Sequence, residues 1–414
     1  MRKIILLSNT YPFGGEAFLQ NEIKWIPDTQ AVDIYPIFAD QRATAEMCLR
    51  ENVQVHNVCS HWKLKERVLA GFRSIQILFT ANEMVAAMKK RRPFYNVIKA
   101  YKFAYISELR ITRILNRLKH EEGANDGYIF YAYWLYEAAY IAAGLKKRVQ
   151  NSLFVARCHG FDLYEIRHPN GYLPFRMYLL KNGDEIYPIS DDGKEYLSRL
   201  YKNRWDQKIH VMRLGTEDHG LNPGNQNEIP VIVSCSNLVE VKRVERIICA
   251  LGKSGSEVCW FHFGDGRLRE KLEMLAVQLP KNIQWRFMGN VPHEQLMHFY
   301  KEQRVDVFVN VSSSEGVPVS IMEALSFGIP VVATNVGGTH EIVESGVNGI
   351  LLPIEFEDQD LLDAIDCVIH GNNVFKMRAA ARKIWSSRSN AGDCFGGFYD
   401  QLLGLNPFSS DEEE

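Results

Sequence analysis

Short apolar runs recur along this 414-residue chain, most of them followed by a turn and then by apolar positions spaced three or four apart. The runs predict strands over residues 3–8, 32–37, 128–133, 153–156, 185–189 and 208–212. The second half repeats the rhythm at 231–235, 258–263, 283–288, 305–310, 330–333 and 349–352. Strands that are apolar at every position, not alternately, are buried on both faces. Their alternation with helices therefore implies an α/β fold with parallel, doubly wound sheets. Two such domains facing one another across a cleft account for the two sets of runs.

Length supports the division, because single cores stop growing near about 250–300 residues. The expected parts are a first domain over 1–217, a second over 226–390, a final helix over 391–406 that returns to the first domain, and a disordered acidic tail over 407–414. Residues 215–230, rich in Gly, Asn, Pro and acids, read as a linker. The stretch 128–145 is nearly all apolar, with Glu137 its one charge, but five tyrosines and Trp134 divide it into a strand and a helix over 136–146. It is too short and too polar for a membrane span. Eight cysteines lie scattered without paired spacing, which reads as free thiols in a reducing compartment, and the start reads as a strand, not a secretory signal. A cytoplasmic protein is expected.

The chain is 46% hydrophobic and 24% charged, with net charge -2, as in ordinary globular proteins. The charge is unevenly placed. Residues 61–120 hold fourteen basic and three acidic residues, +11 in all, so the remainder carries -13. Aromatic and aliphatic residues interleave with these charges, as in helices that lie on an anionic membrane surface. Solvated helices packed on a core by their apolar faces would read the same way. No nucleic-acid motif accompanies the basic residues, so no nucleic-acid partner is expected.

Candidate chemistry concentrates after the predicted strands. Following 305–310 comes Glu315-Gly316-Val317-Pro318-Val319, with Glu323 eight positions beyond Glu315. Pro318 suits a first helical position, and free N–H groups at such a start attract anions. One glutamate would then precede the helix and the other lie about a turn inside it, as a diphosphate flanked by hydroxyls requires. Lys242 and Arg243 open a helix after the strand 231–235, where a cation can reach a phosphate or be plain surface. The turns Gly264-Asp265-Gly266 and Gly289-Asn290 could admit a ligand to the backbone, or only turn the chain. Gly337-Gly338 after 330–333, ahead of a short helix over 341–344, allows close approach to phosphates or a strained turn. In the first half, Gly14-Gly15-Glu16 forms a glycine-rich loop after the first strand, and His159 stands beside Gly160 and Asp162 where open sheets place reactive groups. Asp358-Gln359-Asp360 has the form of a metal motif but sits in an acidic stretch far from these residues, and reads as surface.

Together and in this order, the features resemble the retaining family-4 glycosyltransferases of the GT-B fold, with two Rossmann-like domains. The likeness is strongest from Val231 to Pro353 and looser over 3–215. It implies that Glu315 holds donor-sugar hydroxyls, that Gly316, Val317, Pro318 and Val319 line the sugar and diphosphate, and that Glu323 binds ribose. It also implies that Lys242 neutralises the diphosphate, that Gly14 and Gly15 approach it, that Gly289 and Asn290 face the base, and that His159 contacts the transferred sugar. Glu16 and Asp162 would meet the acceptor. Asn237 stands where the family has an arginine, so that either Lys242 and Arg243 compensate or donor binding is weakened.

The resemblance implies metal-independent transfer with retention, no cofactor, and a nucleotide-sugar donor, UDP ahead of GDP. A glycan acceptor, lipid-linked and used in surface polysaccharide synthesis, fits with a peripheral position on the inner membrane face. The alternatives are a nucleotide-sugar 2-epimerase of the same fold and a non-catalytic binding partner of another transferase.

Overall fold

The computed structural model describes residues 2–13, 16–38, 50–58, 62–120, 127–224 and 229–405. The chain divides into two compact units, Met1–Met212 together with the chain from Gly396 on, and Arg213–Phe395.

In the first unit, strands β1 (Lys3–Ser8), β2 (Val32–Pro36), β3 (Val53–Val55), β4 (Tyr128–Ala132), β5 (Ser152–Cys158) and β6 (Glu185–Pro188) form one parallel sheet in the order β3-β2-β1-β4-β5-β6. Its helices are α1 (Ala17–Ile23), α2 (Leu64–Thr80), α3 (Glu83–Met88), α4 (Pro93–Leu118), α5 (Glu137–Lys146), α6 (Gly160–Leu163), α7 (Arg176–Asn182) and α8 (Asp191–Leu200). β1, β2, β4 and β5 are buried at nearly every residue, as their unbroken apolar runs require. The strand expected over 208–212 is reduced to an extended run beside β6, in which His210 and Met212 donate to Ile186 and Pro188. β3 escaped sequence reading because three residues carry no readable period. The stretch 128–145 is indeed a strand and a helix, both buried, and no described helix is long and apolar enough to cross a membrane.

The second unit repeats the plan with β7 (Val231–Cys235), β8 (Val258–Phe263), β9 (Ile283–Gly289), β10 (Val307–Asn310), β11 (Val331–Thr334) and β12 (Gly349–Leu352), ordered β12-β11-β10-β7-β8-β9. Helices α9 (Val244–Leu251), α10 (Arg269–Ala276), α11 (His293–Glu302), α12 (Val319–Ser326), α13 (Asp358–His370) and α14 (Val374–Arg388) cover it. The short helix expected over 341–344 is instead a 3-10 turn at Gly337–Glu341.

The units part at Met212 and Arg213 rather than at 217, and the described part of 215–230 is no loose linker. Asn222 is buried and donates to the carbonyls of Tyr300 (2.6 Å) and Gln303 (2.8 Å), while Thr216 pairs with Asn390. A side-chain amide with both ends satisfied fixes the chain as firmly as a ladder bond. Residues 225–228 lie outside the described residues, as does the acidic tail.

The last helix, α15 (Gly397–Gly404), belongs to the first unit. Phe398 lies under the guanidinium of Arg157, and the hydroxyl of Tyr399 donates to Glu22. Glu22 and Arg157 are completely buried and 3.3 Å apart, with Tyr131 hydrogen-bonded to both. Buried charges persist only when paired and hydrogen-bonded. These four residues tie α1, β4, β5 and α15 together, although 377 positions separate Glu22 from Tyr399.

Candidate functional site

In each sheet the strand order reverses once, and the loops beyond the carboxyl ends of the strands flanking that point part to leave a crevice. In the second unit the point lies between β7 and β10. The loops after these strands are stitched together, Ser313 donating from both its N–H (2.8 Å) and its hydroxyl (3.2 Å) to the carbonyl of Val241. This brings Lys242 Nζ to 2.6 Å from Glu315 Oε1, which also accepts from Asn310 Nδ2 at 3.3 Å. Glu315 is buried, and Lys242 is partly exposed. Among the described residues Glu315 Oε2 accepts no hydrogen bond.

Pro318 stands one position before the helix, not at its first residue. Its backbone is extended, and its carbonyl accepts from Ile321 and Met322 to start α12. Glu323, one turn along α12, is buried and receives His293 Nε2 at 2.8 Å. His293 opens α11 just after Gly289-Asn290, and sequence reading missed it. Its signal was modest, a histidine at a helix start beyond a strand's carboxyl end.

Other candidates have different work. Gly337 has positive φ, and a Cβ there would sit 2.1 Å from the carbonyl oxygen of Glu315, while Gly338 N–H donates to Gly316 (2.7 Å). The glycine pair thus buttresses the Glu315 loop, and close approach to that loop is what demands glycine. Arg243 is engaged by the protein itself. Its guanidinium donates to the carbonyls of Val311 (2.8 Å) and Ile354 (2.9 Å) and lies over Phe356, clamping loops. Gly264 and Gly266 pack against the backbone of Ser236 and Leu238, so that turn shapes the chain. Gly289 is buried, its carbonyl accepting from Gly264, whereas Asn237 and Asn290 are exposed beyond the ends of β7 and β9. Asp358 pairs with Lys253, and Asp360 caps the start of α13, which occupies the acids of the metal-like motif.

In the first unit the order reverses between β1 and β4. Gly14 and Gly15 lie outside the described residues. Glu16 is buried and accepts from the N–H groups of Asn9 (3.2 Å), Thr10 (2.7 Å) and Tyr11 (2.7 Å) and from Trp134 Nε1 (2.6 Å). Asp162 is fully buried between the N–H groups of His159 (2.6 Å) and Leu135. Burial pushes its carboxyl up to about 7, opposed by Arg176 and by those N–H groups. The carboxylates of Glu16 and Asp162, expected to meet the acceptor, are engaged by the N–H groups of their own loops.

His159 is what those loops present. Its ring packs on Trp134 (4.5 Å between centroids), Tyr133 (5.0 Å) and Phe18 (5.7 Å), with only 6% of the residue exposed. Among the described residues neither ring nitrogen has a hydrogen-bond partner. Burial, with Arg157 nearby, holds the imidazole well below its ordinary pKa, so it is neutral.

Residues 221–384 match the family described as glycosyl transferases group 1. A crystal structure of Anabaena Alr3699/HepE in complex with UDP superposes over 97% of this chain and 100% of that one, with a TM-score of 0.69 at 17% identity. The fold is GT-B. Among curated relatives, the O-antigen biosynthesis glycosyltransferase WbnH of Escherichia coli is 26% identical over 217 residues, 48% of this chain and 60% of that protein. A GDP-mannose-dependent alpha-mannosyltransferase of Mycobacterium tuberculosis is 29% identical over 213 residues, 49% of this chain and 50% of that protein. The chain spans about half the length of the curated relatives it matches. The matched family segment contains Lys242 and Glu315, paired at the switch point, and Glu323, which meets His293 on α12.

Proposed function

We propose that this GT-B chain is a glycosyltransferase that moves a sugar from a nucleotide-sugar donor, a UDP-sugar ahead of a GDP-sugar, to a glycan acceptor in surface-polysaccharide synthesis. The observation that carries the reading is the Lys242–Glu315 pair at the switch point of the second sheet, immediately before the start of α12. A cation and a helix start are what a leaving diphosphate needs, because negative charge grows there in the transition state. Glu315 and Glu323 each keep a carboxylate oxygen for sugar or ribose hydroxyls, and His293 fixes the rotamer of Glu323. The neutral ring of His159 offers a donor and an acceptor to the transferred sugar.

In this reading the reaction is metal-independent and retains anomeric configuration. The acceptor hydroxyl attacks the front face of the anomeric carbon and passes its proton to the departing phosphate, so no side chain serves as nucleophile. A lipid-linked acceptor would place the protein on the inner face of a membrane. One observation favours the non-catalytic alternative. With Asn237 uncharged and Arg243 held by carbonyls, Lys242 is left as the cation beside Glu315.

Isothermal titration with UDP and GDP, without metal, tests the donor site. Micromolar binding of one nucleotide is expected, weakened at least about 100-fold in Glu323→Ala, as for loss of a buried, charge-assisted contact. Binding of neither nucleotide overturns the reading.

A further inference from the structure

The basic helices of the first unit do not simply pack their apolar residues inward. On α2 the residues facing the body of the unit are small or few: Ala70, Ser74 and Leu78. On the side turned away, Leu64, Val68, Phe72, Ile75 and Phe79 recur at spacings of four, four, three and four, and all are exposed, Leu64 by 78% and Phe72 by 70%. Such spacing aligns them in one stripe about 22 Å long. Val85 and Met88 on α3 and Phe94 and Ile98 on α4 are exposed as well. Exposed apolar residues gathered in this way mark a place of contact.

The charges around it are of one sign, for a reason only the structure shows. All three acids of the segment are occupied: Glu66 accepts the Lys63 N–H at the start of α2 (2.7 Å), Glu83 accepts the buried Tyr172 hydroxyl, and Glu108 is buried against Arg148 (2.9 Å). Lys63, Lys65, Arg67, Lys89, Arg91 and Arg92 are exposed. A second feature joins this surface to the candidate site. Lys90 pairs with Glu165, bringing the turn between α3 and α4 against the loop that carries Phe161 and Ile166, the latter 88% exposed. That loop begins two residues after His159.

We infer that the α2 stripe is a membrane-docking face whose occupant is an anionic lipid bilayer. The apolar side chains enter the interface between headgroups and acyl chains, while the flanking lysines and arginines meet lipid phosphates. A bilayer fits better than a folded partner because the stripe is bordered by exposed cations, while the acids among the described residues of the segment are engaged within the unit. The inference stands apart from the glycosyl-transfer reading, since it needs neither donor nor acceptor.

The test is flotation of the full chain with vesicles of phosphatidylcholine alone and of phosphatidylcholine mixed with phosphatidylglycerol, both free of glycolipid. Binding is expected to the anionic vesicles only, to weaken as salt rises, and to fall about tenfold in Phe72→Ser and again in Phe79→Ser, the share of one buried aromatic. Unchanged melting temperatures would show that both variants fold, and nucleotide titration of the same preparations separates this result from failure of the donor site. Absence of binding to anionic vesicles overturns the inference, as does binding indifferent to both substitutions, which would be charge alone. Sedimentation showing a dimer that Phe72→Ser dissolves would overturn it in favour of a second copy.

Discussion

Two buried histidines at or near the carboxyl edges of the two sheets, His159 in the first unit and His262 in the second, are used in opposite ways. His262, on β8, has both ring nitrogens engaged, with Ser234 Oγ 2.8 Å from Nδ1 and the carbonyl of Ser236 3.1 Å from Nε2. The carbonyl can only accept, so Nε2 carries the hydrogen and Nδ1 accepts from Ser234, whose oxygen in turn receives Trp260 Nε1. His159 is also buried, and among the described residues it engages neither nitrogen. Burial alone therefore does not distinguish a structural histidine from a functional one. The state of the ring nitrogens does, because an orphaned buried donor or acceptor costs stability unless something completes it.

The sharpest way to break this comparison is to replace both rings by phenylalanine. Under the proposed function His159→Phe should slow transfer about 10²–10³-fold, as for other lost transition-state contacts, while stability stays within about 1 kcal/mol because no paired group is orphaned. His262→Phe should cost about 2–4 kcal/mol in chemical denaturation, since Ser234 and Ser236 each lose a buried partner. If His159→Phe is as destabilising as His262→Phe, or leaves transfer intact, the distinction fails.

Acid sharpens it further. Burial holds the His262 imidazole down at about 4, against 6.5 when unfolded. Between those values the unfolded chain takes a proton that the folded one refuses, so this group withdraws stability as pH falls, by at most about 3 kcal/mol. Asp162, raised to about 7 from 3.8, acts in the opposite sense over its own window, because its folded form is the one that takes the proton. Only His262 is absent from the His262→Phe variant. The stability gap between wild type and that variant should therefore narrow from pH 7 to pH 4, and a constant gap in urea titrations would refute the assignment.

The smallest effect concerns the neighbouring cations. Lys242→Ala should weaken nucleotide binding about tenfold or more with little change in stability. Arg243→Ala should cost about 1–2 kcal/mol of stability, from the lost carbonyl contacts, with affinity altered only a few-fold. Equal losses of affinity would mean that Arg243 leaves its carbonyls to reach the nucleotide.

Much of this was legible in the chain. Eleven of the twelve predicted strands lie within two residues of observed ones at either end, because strands covered on both faces must be apolar throughout. The other, 208–212, forms no more than an extended edge to β6. The segment from Glu315 to Glu323 could be placed across a helix start, since the helical period sets which positions share a face. The occupants of Glu16, Asp162 and Arg243 could not be read. Each is a charged residue beyond a strand's carboxyl end, the same pattern that marks a binding residue, and only the chain's path shows that backbone groups engage the charge. His293 was missed for the converse reason, its partner lying thirty positions away.

The sequence by itself determined the two parallel sheets, the positions of their loops and the types of residue available there, because local period and turn chemistry are properties of neighbours along the chain. It also determined the basic, aromatic-rich segment. Tertiary structure decided which charges remain available. The acids of that segment are withdrawn by Lys63, Tyr172 and Arg148, leaving a cationic surface around the α2 stripe, and Glu22 is joined to Arg157 and Tyr399 across most of the chain's length. Pairing of buried polar groups depends on distances through space, and those are fixed only once the sheets have brought distant loops together.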